Sequence, residues 1–229
     1  MELSPDEANL LASNEWFAGL PTAVANTLVQ AGMRRRLKDG ELLHARGDPA
    51  QGLYVLLQGF IRICGASEQG REATLIFIEP GTWFGEIALI DKQPRTHDAW
   101  AVGSCTALIV PSATIQLLLQ NDPQASLCFA GLIARKLRAA MLWIEDMNLL
   151  PLNSRLAQKI LDLHSRGALV ENGELMVSQD DLATLIGASR QSINRELKLW
   201  AKQNVVSLSY GKLRILDVHA LRTLVLAAK

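Results

Sequence analysis

Cysteine is scarce. The 229 residues hold three, Cys64, Cys105 and Cys128. No two stand at metal-ligand spacing, and an odd, scattered set builds no disulfide framework. Each reads as a small buried side chain. Histidine is as thin, with four dispersed residues, His44, His97, His164 and His219. None has the spacing of a metal ligand or of a base beside a nucleophile, so no metal and no enzymatic activity are expected. His97 beside Asp98 reads as a hydrogen-bonded loop pair. No apolar run reaches the length of about 20 residues that a membrane span needs. The opening stretch MELSPDEANLLASNEW is acidic and has no apolar signal core, which leads to an expected place in the cytoplasm. Net charge is missing too: 23 Lys+Arg balance 23 Asp+Glu.

That zero hides an asymmetry. Residues 152–229 carry 11 Lys+Arg against 7 Asp+Glu, and residues 1–151 carry 12 against 16. The halves are thus +4 and −4, as when a nucleic-acid-binding module is joined to something else. At 49% hydrophobic and 20% charged, the chain has enough apolar material for a sizeable core.

Residues 4–30 read as short helices. Ser4-Pro5-Asp6-Glu7 is a helix start with Pro in the first turn, and Leu20-Pro21 begins another. From Met33 the pattern changes. Gly40, Gly47, Gly52, Gly59, Gly65, Gly70, Gly81 and Gly85 punctuate short apolar runs. The runs are Glu41–His44, Leu53–Leu57, Phe60–Cys64, Ala73–Ile78, Ala99–Val102 and Ala107–Val110. Many short strands with frequent turns predict an antiparallel sandwich or barrel.

Within it, Trp83-Phe84-Gly85-Glu86-Ile87-Ala88-Leu89 reads as a strand end running into a helical turn. Backbone N–H groups at such a turn suit an anion. Arg95 could grip a phosphate with its fork of donors, Thr96 could add a hydroxyl, and Glu86 could accept from a sugar hydroxyl. A partly buried Glu86–Arg95 ion pair closing the loop would give the same sequence.

Pro123 opens a predicted helix that runs to about Leu149. Ala130, Ile133, Leu137, Ala140, Ile144 and Met147 repeat at alternating spacings of 3 and 4, a heptad seam. It could face a second chain or pack on its own domain. A second row, Cys128, Leu132, Ala139 and Leu142, could pack on the strands. Pro151-Leu152-Asn153 reads as a hinge, with Asn153 or Ser154 capping a helix over Arg155–Ser165. Gly167–Gly173 reads as turns.

Ser178 to Lys202 predicts two helices joined by a tight turn. Ser178 caps the first, with Asp181 completing a capping-box pattern. Leu182, Leu185 and Ile186 form its apolar face, and Gly187 ends it. Ser189 caps the second, where Ile193, Leu197 and Trp200 face inward. Gln191, Asn194, Arg195, Lys198 and Lys202 face outward with no carboxylate among them. Amide and guanidinium groups read base edges, and Lys suits phosphates. A helical hairpin with a solvated polar face would share the pattern. Val205–Leu208 and Leu213–Leu216 then flank Ser209-Tyr210-Gly211-Lys212 as a hairpin wing, with Lys212 and Arg214 near a DNA backbone. Asp217 caps a last helix ending at Ala228.

In this order, the segments resemble the Crp–Fnr superfamily of bacterial transcription regulators over about residues 15–225. KDGELLHARGDPAQGLYVLLQGFIRI resembles the opening strands of its sensor domain, and FGEIALIDKQPRT its phosphate-binding cassette. IARKLRAA resembles its dimer helix, NSRLAQKIL the first helix of its DNA domain, and VSQDDLATLIGASRQSINRELKLW its helix-turn-helix. The resemblance implies an α+β fold in three parts. Residues 1–121 would form a jelly-roll-like antiparallel β-roll of the cyclic-nucleotide-binding type, and 122–151 a dimerisation helix and hinge. Residues 152–229 would form a winged helix-turn-helix.

It further implies a homodimer through the seam, a near-palindromic double-stranded DNA site, and RNA polymerase as a protein partner. Arg190, Gln191, Asn194 and Arg195 are the expected base contacts; Ser178, Ser189, Lys198 and Lys202 are the expected phosphate contacts. Related members often carry Glu where Gln191 stands, so a different base preference is expected there. Gly85, Glu86, Arg95 and Thr96 would hold a cyclic nucleotide or another small ligand. The two adjacent hydroxyl residues that contact adenine in cyclic-AMP-responsive members are replaced by Ala140 and Met141, and Asp98 would repel a phosphate unless turned away. Neither an iron–sulfur cluster nor haem is expected. An effector-independent regulator, or a nucleotide-sensing module acting on a protein partner, are the alternatives.

Overall fold

The computed structural model describes residues 3–66, 72–165 and 170–227. Gly70, residues 167–169 of the expected Gly167–Gly173 turns, and Ala228 therefore lie outside the described residues. The elements run α1 (Pro5–Ser13), α2 (Glu15–Ala18), α3 (Thr22–Ala31), β1 (Met33–Leu37), β2 (Leu42–His44), β3 (Gly52–Ala66), β4 (Glu72–Ile78), β5 (Trp83–Phe84), α4 (Ile87–Ile90), β6 (Asp98–Pro111), α5 (Ser112–Asn121) and α6 (Pro123–Leu149). They continue with α7 (Leu152–Ser165), β7 (Val170–Glu171), β8 (Glu174–Leu175), α8 (Gln179–Leu185), α9 (Arg190–Lys202), β9 (Val206–Ser209), β10 (Lys212–Ile215) and α10 (Val218–Leu226). Two compact units result, divided within α6 between Ala139 and Ala140; Ala73–Leu75 group with the second. Among the described residues no helix is long and apolar enough to cross a membrane.

The first unit is built on a six-stranded antiparallel sheet ordered β1-β6-β3-β4, with β2 paired to β6 and β5 to β3. Its axis is the long pairing of β3 with β6, from Gly52↔Pro111 to Cys64↔Asp98. The sequence suggested two strands on each side, but each pair is one continuous strand. Gly59, at φ 79, marks a bulge rather than a break, since the register shifts on either side of Gln58. A Cβ at Gly59 would come within 2.6 Å of the Ser104 carbonyl oxygen, so only glycine lets the two strands close there. β1 was not expected, because MRRRL carries three cations. Arg35 accounts for part of it: its guanidinium donates to the Leu42 and Leu43 carbonyls, each at 3.1 Å.

The helices cover the roll through aromatic contacts. Trp16 meets Trp83 and Phe129 edge-on at 5.5 and 5.6 Å between ring centroids, and Phe17 stacks on Trp83. Each such pair contributes about 1 kcal/mol beyond its buried area. Trp16 Nε1 also donates to the Cys128 carbonyl at 2.7 Å. The first turns of α6 are thereby fixed to the roll, with Ala125, Phe129 and Leu132 buried. Of the second apolar row, Cys128 and Leu132 pack as expected, whereas Ala139 is exposed and Leu142 is 56% exposed.

In the second unit α7 begins at Leu152, three residues before the expected start. Asn153 and Ser154 sit inside its first turn rather than capping it, and the Ser154 hydroxyl donates to Leu224 at 2.8 Å. This bond ties α7 to α10, which ends at Leu226 with Asp217 as its N-cap. The four-stranded sheet is ordered β7-β8-β10-β9; β7 and β8 were not foreseen.

Candidate nucleic-acid interface and ligand cassette

Ser178 caps α8: its hydroxyl accepts from Asp181 N at 3.0 Å and donates to the Asp181 carboxylate at 2.6 Å. Gly187, at φ 61, turns the chain, and Ala188 N closes the turn on Ala183 O at 2.8 Å. The Ser189 hydroxyl then accepts from Ser192 N at 3.1 Å and starts α9. Ile193, Leu197 and Trp200 are buried. Gln191, Arg195, Lys198 and Lys202 are exposed on the opposite side. Two of the other expected DNA contacts are engaged within the motif. Asn194 Nδ2 donates to Gln179 Oε1 at 2.8 Å, and Arg190 pairs with Asp180 at 3.1 Å. Both wing cations also have a partner: Lys212 and Arg214 meet Glu174 at 3.8 and 3.4 Å. Tyr210, at the wing tip, is fully exposed.

Sequence reasoning missed the residues that brace this motif. Arg155 donates to the Ile186 carbonyl at 2.9 Å, and Trp143 Nε1 to the Leu185 carbonyl at 3.3 Å. Both satisfy carbonyls left without an intrahelical partner at the end of α8. Nothing in the spacing of Arg155 or Trp143 signals such a contact. Met147, expected in the seam, lies against Gly187, where any Cβ would collide with its terminal methyl.

The cassette in the first unit is arranged differently. α4 has only four residues, too short to gather much of a helix dipole. Arg95 is 4% exposed. Its Nη1 donates to the Gly85 carbonyl at 2.6 Å and its Nη2 to the Gly52 carbonyl at 2.7 Å. Its guanidinium lies 4.9 Å from the centre of the Tyr54 ring. Gly85 is obligatory here, since a Cβ would stand 2.6 Å from Arg95 Nη1.

Glu86 is 2% exposed and pairs with Lys136 of α6 at 2.7 Å, not with Arg95. Lys136 is therefore part of the site, and its partner fifty residues away hid it from any local pattern. The Thr96 hydroxyl is bonded to His97 Nδ1 at 2.9 Å. Asp98 is turned away and accepts from Arg46 N at 2.6 Å. His44 stacks on Tyr54; burial first, and the Arg95 charge second, push its pKa down to about 4. Burial likewise lowers the pKa of His97, with Arg46 adding to the effect.

The family model of the cyclic nucleotide-binding domain matches residues 34–122, and that of the Crp-like helix-turn-helix domain matches residues 154–224. The cyclic AMP receptor protein of Thermus thermophilus is 29% identical over 206 residues, covering 90% of this chain and 94% of that one. The CRP-like cAMP-activated global transcriptional regulator of Mycobacterium tuberculosis is 28% identical over 186 residues, covering 80% and 83%. The crystal structure of a CRP/FNR-family transcriptional regulator from Thermus thermophilus superposes with a TM-score of 0.72 at 26% identity, covering 86% of this chain and all of that one.

The chain belongs to the Crp–Fnr family. It is a DNA-binding transcription regulator, and the relatives it matches are regulators rather than enzymes. In this Crp–Fnr regulator the seam residues are unevenly placed. Leu137 is 60% and Ile144 45% exposed, and Ala130 and Ala140 are exposed, whereas Ile133 is half-buried. Met141, beside Ala140, is also exposed.

Proposed function

We propose that the protein is a homodimeric, sequence-specific regulator that reads a near-palindromic operator with two copies of α9. The observation that carries this reading is the exposed row Gln191, Arg195, Lys198 and Lys202 opposite the buried Ile193, Leu197 and Trp200. Arg190, Gln191, Asn194 and Arg195 take the bases; Ser178, Ser189, Lys198 and Lys202 take the phosphates. Dimerisation runs along the α6 seam. Its Ala130, Ile133 and Leu137 also line a groove of about 570 Å³ with Leu89, Ile90 and Leu119, a concave apolar surface suited to a second copy. Residues 1–121 act as sensor, 122–151 as dimer helix and hinge, and 152–229 as DNA-binding domain. RNA polymerase is the protein partner, and the cytoplasm the setting.

A cyclic nucleotide fits the cassette only in part. The residues for its charged half are present, since Gly85, Arg95 and Thr96 lie together and the buried Arg95 Nε has no partner among the described residues. Ala140 and Met141 supply no hydroxyl for its base. A ligand anion would also have to draw Arg95 from two carbonyls, and a sugar hydroxyl would have to compete with Lys136 for Glu86. These engagements favour a second reading, in which the dimer binds DNA without an effector. Calorimetric titration with cyclic AMP, cyclic GMP and cyclic di-GMP, with Arg95→Ala as control, separates the two. Binding by the intact protein that is lost in an Arg95→Ala control still folded at the titration temperature, as its melting curve shows, supports a ligand-gated regulator. Specific footprints from ligand-free protein, with no nucleotide bound, support the effector-independent one. Absence of specific footprints under every condition would refute both.

A further inference from the structure

The half-buried amide pair between α8 and α9 carries a consequence for base reading. Gln179 is the first residue of α8, and Asn194 lies on α9 between the exposed Gln191 and Lys198. An unrestrained asparagine turns its amide through half a circle at little cost and offers donor or acceptor alike. Here one N–H of Asn194 is committed to Gln179 Oε1 at 2.8 Å. That bond fixes the amide plane and leaves Oδ1 as an acceptor and the second N–H as a donor. An acceptor beside a donor is the complement of the adenine edge in the major groove, where N6 donates and N7 accepts.

We propose that Gln179 is a positioning residue that pins Asn194 for adenine and so sets one base of the operator half-site. It touches no base itself, and its own amide N–H groups remain for a phosphate. The neighbouring Arg190–Asp180 pair does not act in this way. Its side chains are 66% and 64% exposed, and an ion pair that open to water holds a guanidinium only weakly.

The inference rests on α9 being the reading helix, and the test separates the two. Operator half-sites are selected from a randomised pool by the full-length protein and by Asn194→Ala, Gln179→Ala and Gln179→Glu, each checked for an unchanged melting temperature. Asn194→Ala is expected to lose its preference for adenine at one position. Gln179→Ala should weaken preference at that same position about tenfold, with the other positions unchanged. Gln179→Glu keeps an acceptor, so it should retain the preference while its charge lowers overall affinity. If Asn194→Ala changes one position and Gln179→Ala leaves it untouched, the pinning role is wrong and the reading helix stands. If Gln179→Glu loses the preference as Gln179→Ala does, the amide is oriented the other way and the proposal fails. If Asn194→Ala changes no position, Asn194 reads no base and the proposal fails with it.

Discussion

The cassette and the recognition helix each present an arginine among polar side chains, yet they use it in opposite ways. Arg95 is buried, bonded to two carbonyls and laid on an aromatic ring. Arg195 stands exposed on the outer face of α9. The same contrast separates Glu86, buried against Lys136, from Lys198 and Lys202, which face water. A buried charged group must be satisfied within the fold, because lost hydration is replaced only by nearby partners. An exposed one such as Arg195 keeps its hydration and needs no partner in the fold, which leaves it available to a phosphate or a base. The charges of the cassette therefore contribute first to stability, and those of α9 are left available for the recognition proposed for them.

The largest expected effect tests that division directly. Arg95→Ala leaves the Gly85 and Gly52 carbonyls without their donors and should destabilise the protein by about 4 kcal/mol in urea unfolding. Arg195→Ala should move stability by less than about 0.5 kcal/mol and weaken operator binding by about 2 kcal/mol. Equal stability losses would break the comparison.

Next comes acid. The unfolded chain protonates His44 near pH 6.5, and the folded chain only near pH 4. Its folded pKa is depressed, and the neutral form is the one the fold favours. Stability is therefore complete above pH 6.5 and falls as the pH drops toward 4, by about 3 kcal/mol at most. His44→Gln should flatten that limb of a melting-temperature profile; an unchanged slope would show that His44 is not its source.

A smaller effect concerns Lys136. Lys136→Met leaves the Glu86 carboxylate buried without its cation and should cost about 2 kcal/mol, whereas Glu86→Gln should cost about half of that. Chemical denaturation of both variants compares them, and a larger loss from Glu86→Gln would contradict the assignment. The smallest effect belongs to α9. Lys198→Ala should weaken binding to all sequences alike and reduce the slope of log affinity against log salt by about 1. A loss confined to one operator sequence would mark Lys198 as a base reader instead.

Local pattern made the helix-turn-helix legible almost residue by residue. Caps, glycine and apolar periodicity all act within a few positions there, and α8 and α9 begin directly after Ser178 and Ser189. The roll was legible as strands and turns but not in its register. Gly59 looks in sequence like a stop and in space is a bulge, which only the position of Ser104 reveals. β1 was hidden because Arg35, one of its three cations, finds its carbonyls on the next strand. In the cassette the structure brings Arg95 against Gly85, but the other partners of Arg95 and Glu86 were not foreseen. Gly52 and Lys136, which occupy Arg95 and Glu86, are distant in sequence, and the segments that contain them signal strands and a helix rather than these contacts.

The β3–β6 pairing also bears on how the chain is made. Gly52 pairs with Pro111 and Cys64 with Asp98, so the central ladder cannot be complete until the ribosome has delivered the last residue of the second strand. Pairings so distant along the chain close slowly. The contacts of α8 with α9, by contrast, join neighbours and can form as soon as both helices are out. The first unit to emerge is thus the slower one to fold. During that interval the apolar side chains of β3 wait without their partner strand, the stage at which a nascent chain is most exposed to aggregation.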